Sequence, residues 1–179
     1  MNPEKMSVYS LSKSISARLK SIRFITLAAL LLVATGNASA MEIAEWRFQT
    51  SLYTKHWSPD PEHVNNSKLL NLEFQTTNRW VYGFAHFDNS FGQSSQYLYA
   101  GYSWPLLGSE WAYFKLTGGA LHGYKGLYEG KIPFNNLGVA PAIIPTIGLK
   151  HKRVFTELQV LGAAAITVTA GFSFGHKSD

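Results

Sequence analysis

From Trp46 onward the chain alternates apolar and polar side chains. Trp46, Phe48, Thr50 and Leu52 fall on one side of an extended backbone, and Arg47, Gln49, Ser51 and Tyr53 on the other. Leu70, Leu72 and Phe74 alternate with Asn71, Glu73 and Gln75, and Val154, Thr156, Leu158 and Val160 with Phe155, Glu157 and Gln159. Ala164, Ile166, Val168, Ala170, Phe172 and Phe174 alternate with Ala165, Thr167, Thr169, Gly171 and Ser173. A period of two is the signature of a strand with two different faces. The pattern predicts eight strands, at 44–56, 69–76, 79–88, 95–104, 110–123, 138–149, 153–160 and 163–174.

The connections alternate in length. Those over 57–68, 89–94 and 124–137 are long; those near Thr77-Asn78, Pro105–Ser109 and Lys150–Lys152 are short, and so is the seventh, near Leu161-Gly162. Outer-membrane barrels have short periplasmic turns and longer outer loops. The expected fold is all-β: an eight-stranded antiparallel transmembrane barrel with both termini in the periplasm. A soluble eight-stranded barrel is the competing reading, but it needs a charged exterior. Only 15% of residues are charged and 14% are aromatic, and the last strand carries no charge on either face.

Charge adds a leader to this picture. The net charge of +5 invites a nucleic-acid reading. Yet Lys5, Lys13, Arg18, Lys20 and Arg23 crowd the start, and the body after Met41 is close to balance. An apolar run from Phe24 to Ala34 follows, then Ala38 and Ala40 at the two positions a signal peptidase reads. Residues 1–40 are expected to be a cleaved signal peptide, with Met6 as an alternative start, 41–174 the barrel and 175–179 a tail. The apolar run is too short to span a bilayer, which takes ~20 residues. The mature chain is expected to bind no nucleic acid. It has no cysteine, so disulfides and thiolate chemistry are excluded.

Two features could carry chemistry. With this topology His56, at the end of the first strand, and Asp88-Asn89-Ser90, at the end of the third, share the outer rim. An imidazole, a carboxylate and a hydroxyl suit acyl transfer, although outer loops are rich in such residues. His63 is an alternative base. His56 and His63 are seven apart, which is not a metal spacing, and no metal or cofactor is expected. Pro141 and Pro145 lie in a run that otherwise reads as a wall strand. Proline removes a ladder donor, so the barrel seam is expected to open there as a lateral gate, unless the segment lies above the membrane.

Several stretches, in order, resemble the lipid A palmitoyltransferases of Gram-negative outer membranes. They are Phe84-Ala85-His86-Phe87-Asp88-Asn89-Ser90 with Ala100-Gly101-Tyr102-Ser103-Trp104, then Thr117-Gly118-Gly119-Ala120, then Ala140-Pro141-Ala142-Ile143-Ile144-Pro145. The resemblance covers most of 46–174. It implies a monomeric outer-membrane acyltransferase with an internal acyl pocket. Such an enzyme moves a palmitoyl or similar chain from a glycerophospholipid donor to a lipid A acceptor. It implies His56, Asp88 and Ser90 as catalytic residues. Lys125 would lie near lipid phosphates, and Gly101 and Ser103 in the pocket wall, Ser103 replacing a floor glycine and shortening the slot. This chain departs from the family in separating Asp88 from Ser90 by Asn89, and in lacking a helix before the barrel. The rival expectation is a non-enzymatic small barrel, structural or a narrow channel. A channel needs a continuous polar lumen, and an acyl pocket a closed, apolar lower one, for which Leu116, Gly118, Gly119 and Ala120 are candidates.

Overall fold

The computed structural model describes residues 41–175 apart from Pro59, Asp60 and Asn66. The expected leader over 1–40 and the tail from His176 lie outside the described residues. The strands are β1 (Ile43–His56), β2 (Leu70–Thr76), β3 (Trp80–Asp88), β4 (Ser94–Leu106), β5 (Ser109–His122), β6 (Val139–His151), β7 (Val154–Leu161) and β8 (Ala165–Phe174). Every boundary falls within two residues of the one expected from alternation. The strands pair antiparallel in chain order, and β1 closes on β8. Closure removes the edges, so backbone groups find partners inside the wall instead of in water.

The alternation divides the wall as a membrane requires. Phe48, Leu72, Phe84, Ile147, Leu158 and Phe172 are exposed on the outside. Arg47, Gln49, Glu73, Lys115, Glu157 and Thr169 are buried inside. This inverts a soluble barrel, and only lipid can cover such an exterior. The chain is an outer-membrane barrel. On β3, where sequence left the faces open, Val81, Gly83 and Ala85 point inward and Trp80 and Phe84 outward. The Tyr99 ring lies directly over Gly83, where any Cβ would collide with it. Leu116 and Gly118, candidates for the pocket, are instead on the exposed face of β5.

The turns between β2 and β3, β4 and β5, and β6 and β7 are short and lie at one end; three longer connections lie at the other. Near the short-turn end the outward rings pack in two runs. Trp46 meets Phe74 with centroids 5.3 Å apart, Phe74 meets Tyr82 at 5.2 Å, and Trp104 links Tyr102 (4.8 Å) to Phe114 (5.6 Å). Such girdles sit at the lipid–water boundary. The longest connection carries two 3₁₀ turns, Gly126–Lys131 and Asn135–Leu137.

Two departures from a regular cylinder shape the site. The first is a β-bulge in β1. The register against β8 shifts between Ser51 and Tyr53. Leu52 and Tyr53 therefore both face outward, at 64% and 56% exposure, whereas strict alternation put Tyr53 with Arg47 on the inner face. Beyond the bulge, Thr54 and His56 point inward. The bulged segment is held by Thr167, whose Oγ1 donates to the Tyr53 carbonyl (3.1 Å) and accepts from Thr54 Oγ1 (2.9 Å). The second departure is in β6. It pairs with β5 through both prolines, Pro141 opposite Ala120 and Pro145 opposite Leu116. Its pairing with β7 begins only at Thr146. Residues 139–145 thus have a partner strand on one side alone, where a residue lacking an N–H costs no ladder bond.

Candidate functional site

The middle of the lumen is filled by an ionic layer. Lys115 Nζ lies 2.8 Å from both Glu73 Oε2 and Glu157 Oε1. Arg47 Nη1 is 3.5 Å from Glu73 and 3.6 Å from Glu157, and its Nε bonds Glu45 at 2.7 Å. Glu45 also pairs with Lys150. Tyr113 and Tyr99 donate to Glu157 (2.7 Å) and Glu73 (2.9 Å), and Gln49 Nε2 donates to Glu157 (2.7 Å). Three carboxylates thus meet three cations, with hydroxyls and amides taking remaining lone pairs, which is what lets buried charges persist. The lumen is closed here, by a polar layer rather than the apolar one expected of an acyl pocket.

Above this layer lies a cavity of about 730 Å³, within the range of small-molecule sites. Its floor is Asn71, Tyr99, Lys115 and Thr146. Its walls are Leu69, Ala85, Phe87, Leu121, Ala142 and Ile144, and its mouth carries His56 and Ser90. The lining also includes Pro141 and Ile143, on the outer face of β6, and Leu161–Ala164 at the β7–β8 turn. The cavity therefore reaches the outer face of the wall beside the unpaired edge of β6.

At the mouth, His56 Nε2 is 2.8 Å from Ser90 Oγ. Its other nitrogen, Nδ1, is 3.2 Å from Asn65 Oδ1. An amide oxygen only accepts, so Nδ1 carries the imidazole proton and Nε2 presents its lone pair to the Ser90 hydroxyl. This is the wiring of a hydroxyl nucleophile, its base and an orienting acceptor. Two loops and a strand end build it. The bulge aims His56. Val64 N–H donates to the Ser90 carbonyl at 2.9 Å, and Thr54 N–H to the Asn65 carbonyl at 3.2 Å, locking the 57–69 loop over both. Asn89, 2% exposed, folds the 89–93 turn by accepting from the Phe91 and Gln93 N–H groups through Oδ1 (3.0 and 3.1 Å).

The candidates from sequence fare differently. His56 and Ser90 come into contact across 34 positions. Asp88 borders the cavity but pairs with Lys68 at 3.5 Å rather than with His56; Asn65 holds the orienting position. Asn89, inserted before Ser90, is spent on the turn. His63 does not replace His56 but stacks on it, with ring centroids 4.2 Å apart. Lys125 has an exposed side chain and does not line the cavity, whereas Lys131 does. Gly101 and Ser103 are outside the cavity too. Ser103, 3% exposed, pairs with Lys115, so the ionic layer and Tyr99 form the floor above it. Pro141 and Pro145 lie on the half-paired stretch of β6.

Asn65 and Tyr124 carry no signal in the sequence that separates them from other loop residues. Tyr124 lies just beyond β5 and lines the cavity beside Ser90. Burial raises its phenol pKa, and the neighbouring side chain and backbone of Ser90 offset part of that rise. Among the described residues, no group of His, Asp and Glu could hold a metal ion.

No family model and no curated protein matches the chain. Two solved structures of the Yersinia pestis outer-membrane protein Ail are similar in fold. The backbone structure in a phospholipid nanodisc has a TM-score of 0.44 at 16% identity, covering 73% of this chain and 99% of that one. The crystal structure of Ail, the attachment invasion locus protein, has a TM-score of 0.39 at 15% identity, covering 75% and 100%.

Proposed function

We propose that this barrel is an outer-membrane acyltransferase, taking an acyl chain from a glycerophospholipid and passing it to lipid A. The observation that carries the reading is the Ser90–His56–Asn65 chain of contacts at the mouth of a dead-ended cavity. A lipid enters from the wall at residues 139–145 of β6, Pro141 and Pro145 forming the gate, and lays its acyl chain along Leu69, Ala85, Phe87 and Ile144. Ser90 Oγ attacks the ester carbonyl carbon while His56 Nε2 takes the hydroxyl proton. Collapse of the tetrahedral intermediate breaks the bond to the glycerol oxygen, which receives that proton from His56 and leaves as the lysophospholipid. A lipid A hydroxyl then attacks the acyl-Ser90 ester with His56 again as base, and the proton returns to Ser90. Asn65 Oδ1 holds the Nδ1 proton and stabilises the imidazolium of both half-reactions. The long loops mark the mouth as the outer end, where the external leaflet presents lipid A; the choice of lipid A as acceptor rests on the sequence resemblance. The sealed lumen speaks against the narrow channel.

The test is mass spectrometry of lipid A from cells with and without the gene, beside cells carrying Ser90→Ala or His56→Ala. The expected outcome is one added acyl mass that depends on both side chains. Unchanged lipid A with the wild-type gene would refute the proposal and favour a structural barrel.

A further inference from the structure

Every ester-cleaving site needs more than a nucleophile and a base: the carbonyl oxygen becomes negative as the tetrahedral intermediate forms. A preorganised donor must be waiting for it. Three independent features bring a phenol to the reacting hydroxyl. Tyr124 lines the same cavity as Ser90 and His56. Its ring meets the edge of Phe91, the residue after Ser90, with centroids 6.2 Å apart. Its phenol oxygen lies close enough to the side chain and backbone of Ser90 for both to offset part of the rise in its pKa.

The segment carrying Tyr124 is clamped from two sides. On one side Gln93 Oε1 accepts from the Lys125 N–H at 3.1 Å, and Gln93 Nε2 donates to the Lys125 carbonyl at 3.2 Å. This reciprocal pair ties residue 125 to the turn that carries Ser90. On the other, Asn135, 3% exposed, donates through Nδ2 to the Tyr124 carbonyl at 3.1 Å and to the Glu129 carbonyl at 3.0 Å. Gly123 precedes it at φ +135°, and a Cβ there would strike the Ser95 backbone. Only glycine permits both that conformation and that approach. The chain leaves β5 directly across the start of β4, and the next side chain enters the cavity that Ser90 lines.

We propose that Tyr124 is a catalytic residue of this site, donating the hydrogen bond that receives the negative charge on the ester carbonyl oxygen. The inference rests on the acyl-transfer reading. In the resting site the phenol lines the cavity beside Ser90. When Oγ attacks the carbonyl carbon, the former carbonyl oxygen lies beside Oγ and the phenol donates to it. The phenol proton stays on Tyr124 throughout; His56 alone accepts and returns the transferred proton, so the step balances without a further reactant. Its buried setting keeps the phenol protonated well into the alkaline range.

The experiment measures kcat and KM for acyl transfer from phosphatidylcholine by the refolded barrel in detergent, for the wild type, Tyr124→Phe and the barrel with 3,5-difluorotyrosine at position 124. The phenylalanine variant keeps the ring and its Phe91 contact. Its kcat is expected to fall on the order of 10²–10³-fold, as for removal of one oxyanion donor, with KM nearly unchanged. The fluorinated phenol ionises at lower pH, so its activity is expected to drop with rising pH where the wild type is flat. A role confined to packing would not move that profile. If the wild type transfers acyl chains and Tyr124→Phe keeps kcat within about twofold, the Tyr124 proposal alone is overturned; if the wild type transfers none, the acyl-transfer reading falls and takes the proposal with it.

Discussion

On the acyl-transfer reading Asn65 and Asp88 compete for one role, that of orienting His56, and the distances favour the amide. Asn65 Oδ1 lies 3.2 Å from His56 Nδ1, while Asp88 is engaged with Lys68. In the proposed transition state His56 is an imidazolium, so the Asn65 bond has a charged donor. Such bonds contribute about 1.5–3 kcal/mol. Asn65 is exposed, and water can partly replace it, which places the loss from Asn65→Ala near the low end, about 1.5 kcal/mol. That is about tenfold in kcat. Asn65→Asp supplies a carboxylate at the same reach and is expected to retain or exceed wild-type kcat. Asp88→Asn removes only a partly exposed ion pair, a surface contact of about 0–1 kcal/mol, and is expected to change kcat less than threefold. The assay follows release of labelled lysophospholipid by purified barrels in detergent, with folding checked by heat-modifiable gel mobility. A tenfold loss in Asp88→Asn alongside full activity in Asn65→Ala would refute the assignment.

Three further outcomes follow from the same geometry. Inserting one alanine between Thr54 and Lys55 reverses the alternation beyond the bulge and turns His56 from the lumen to the lipid face, so a barrel of normal gel mobility should be as inactive as His56→Ala; retained activity would show that the parity of the strand does not aim the base. Lys115→Met leaves Glu73 and Glu157 buried with only Arg47 between them, and urea unfolding in detergent should show a loss of about 3–5 kcal/mol, largely recovered when one carboxylate is also neutralised by Glu157→Gln; equal stability of Lys115→Met and wild type would count against the network. Replacing Pro141 and Pro145 together by alanine restores two N–H donors to the open edge of β6, and kcat/KM for phospholipid should fall while that for a short soluble ester stays unchanged; equal effects on both substrates would argue against entry through the wall.

Alternation of side chains is a local property, so the eight strands, their order and the apolar exterior were legible in the sequence. Period two dictates which residues share a face, but on β3 and β5 it left open which face meets lipid. His56 and Ser90 followed from the same logic, because loop lengths place both at one end. The details of the site were not legible, because each depends on contacts between distant segments. The bulge at Leu52-Tyr53 reverses the inward face of β1, and its carbonyl is held by Thr167, 114 positions away. Without it alternation aims His56 at lipid. Asn65 is one polar loop residue among several until the Val64–Ser90 and Thr54–Asn65 backbone bonds fold its loop over the imidazole. Asp88 matched the chemistry by type, but Lys68 holds it, and an ion pair across a loop leaves no trace in spacing. The cavity floor was set by charges from β1, β2, β5 and β7 meeting in one layer, which stops the cavity above Ser103. Sequence determined the barrel and which end of it carries His56 and Ser90; only closure of the barrel decided which side chains touch, because a register shift of one residue exchanges the lumen for the membrane.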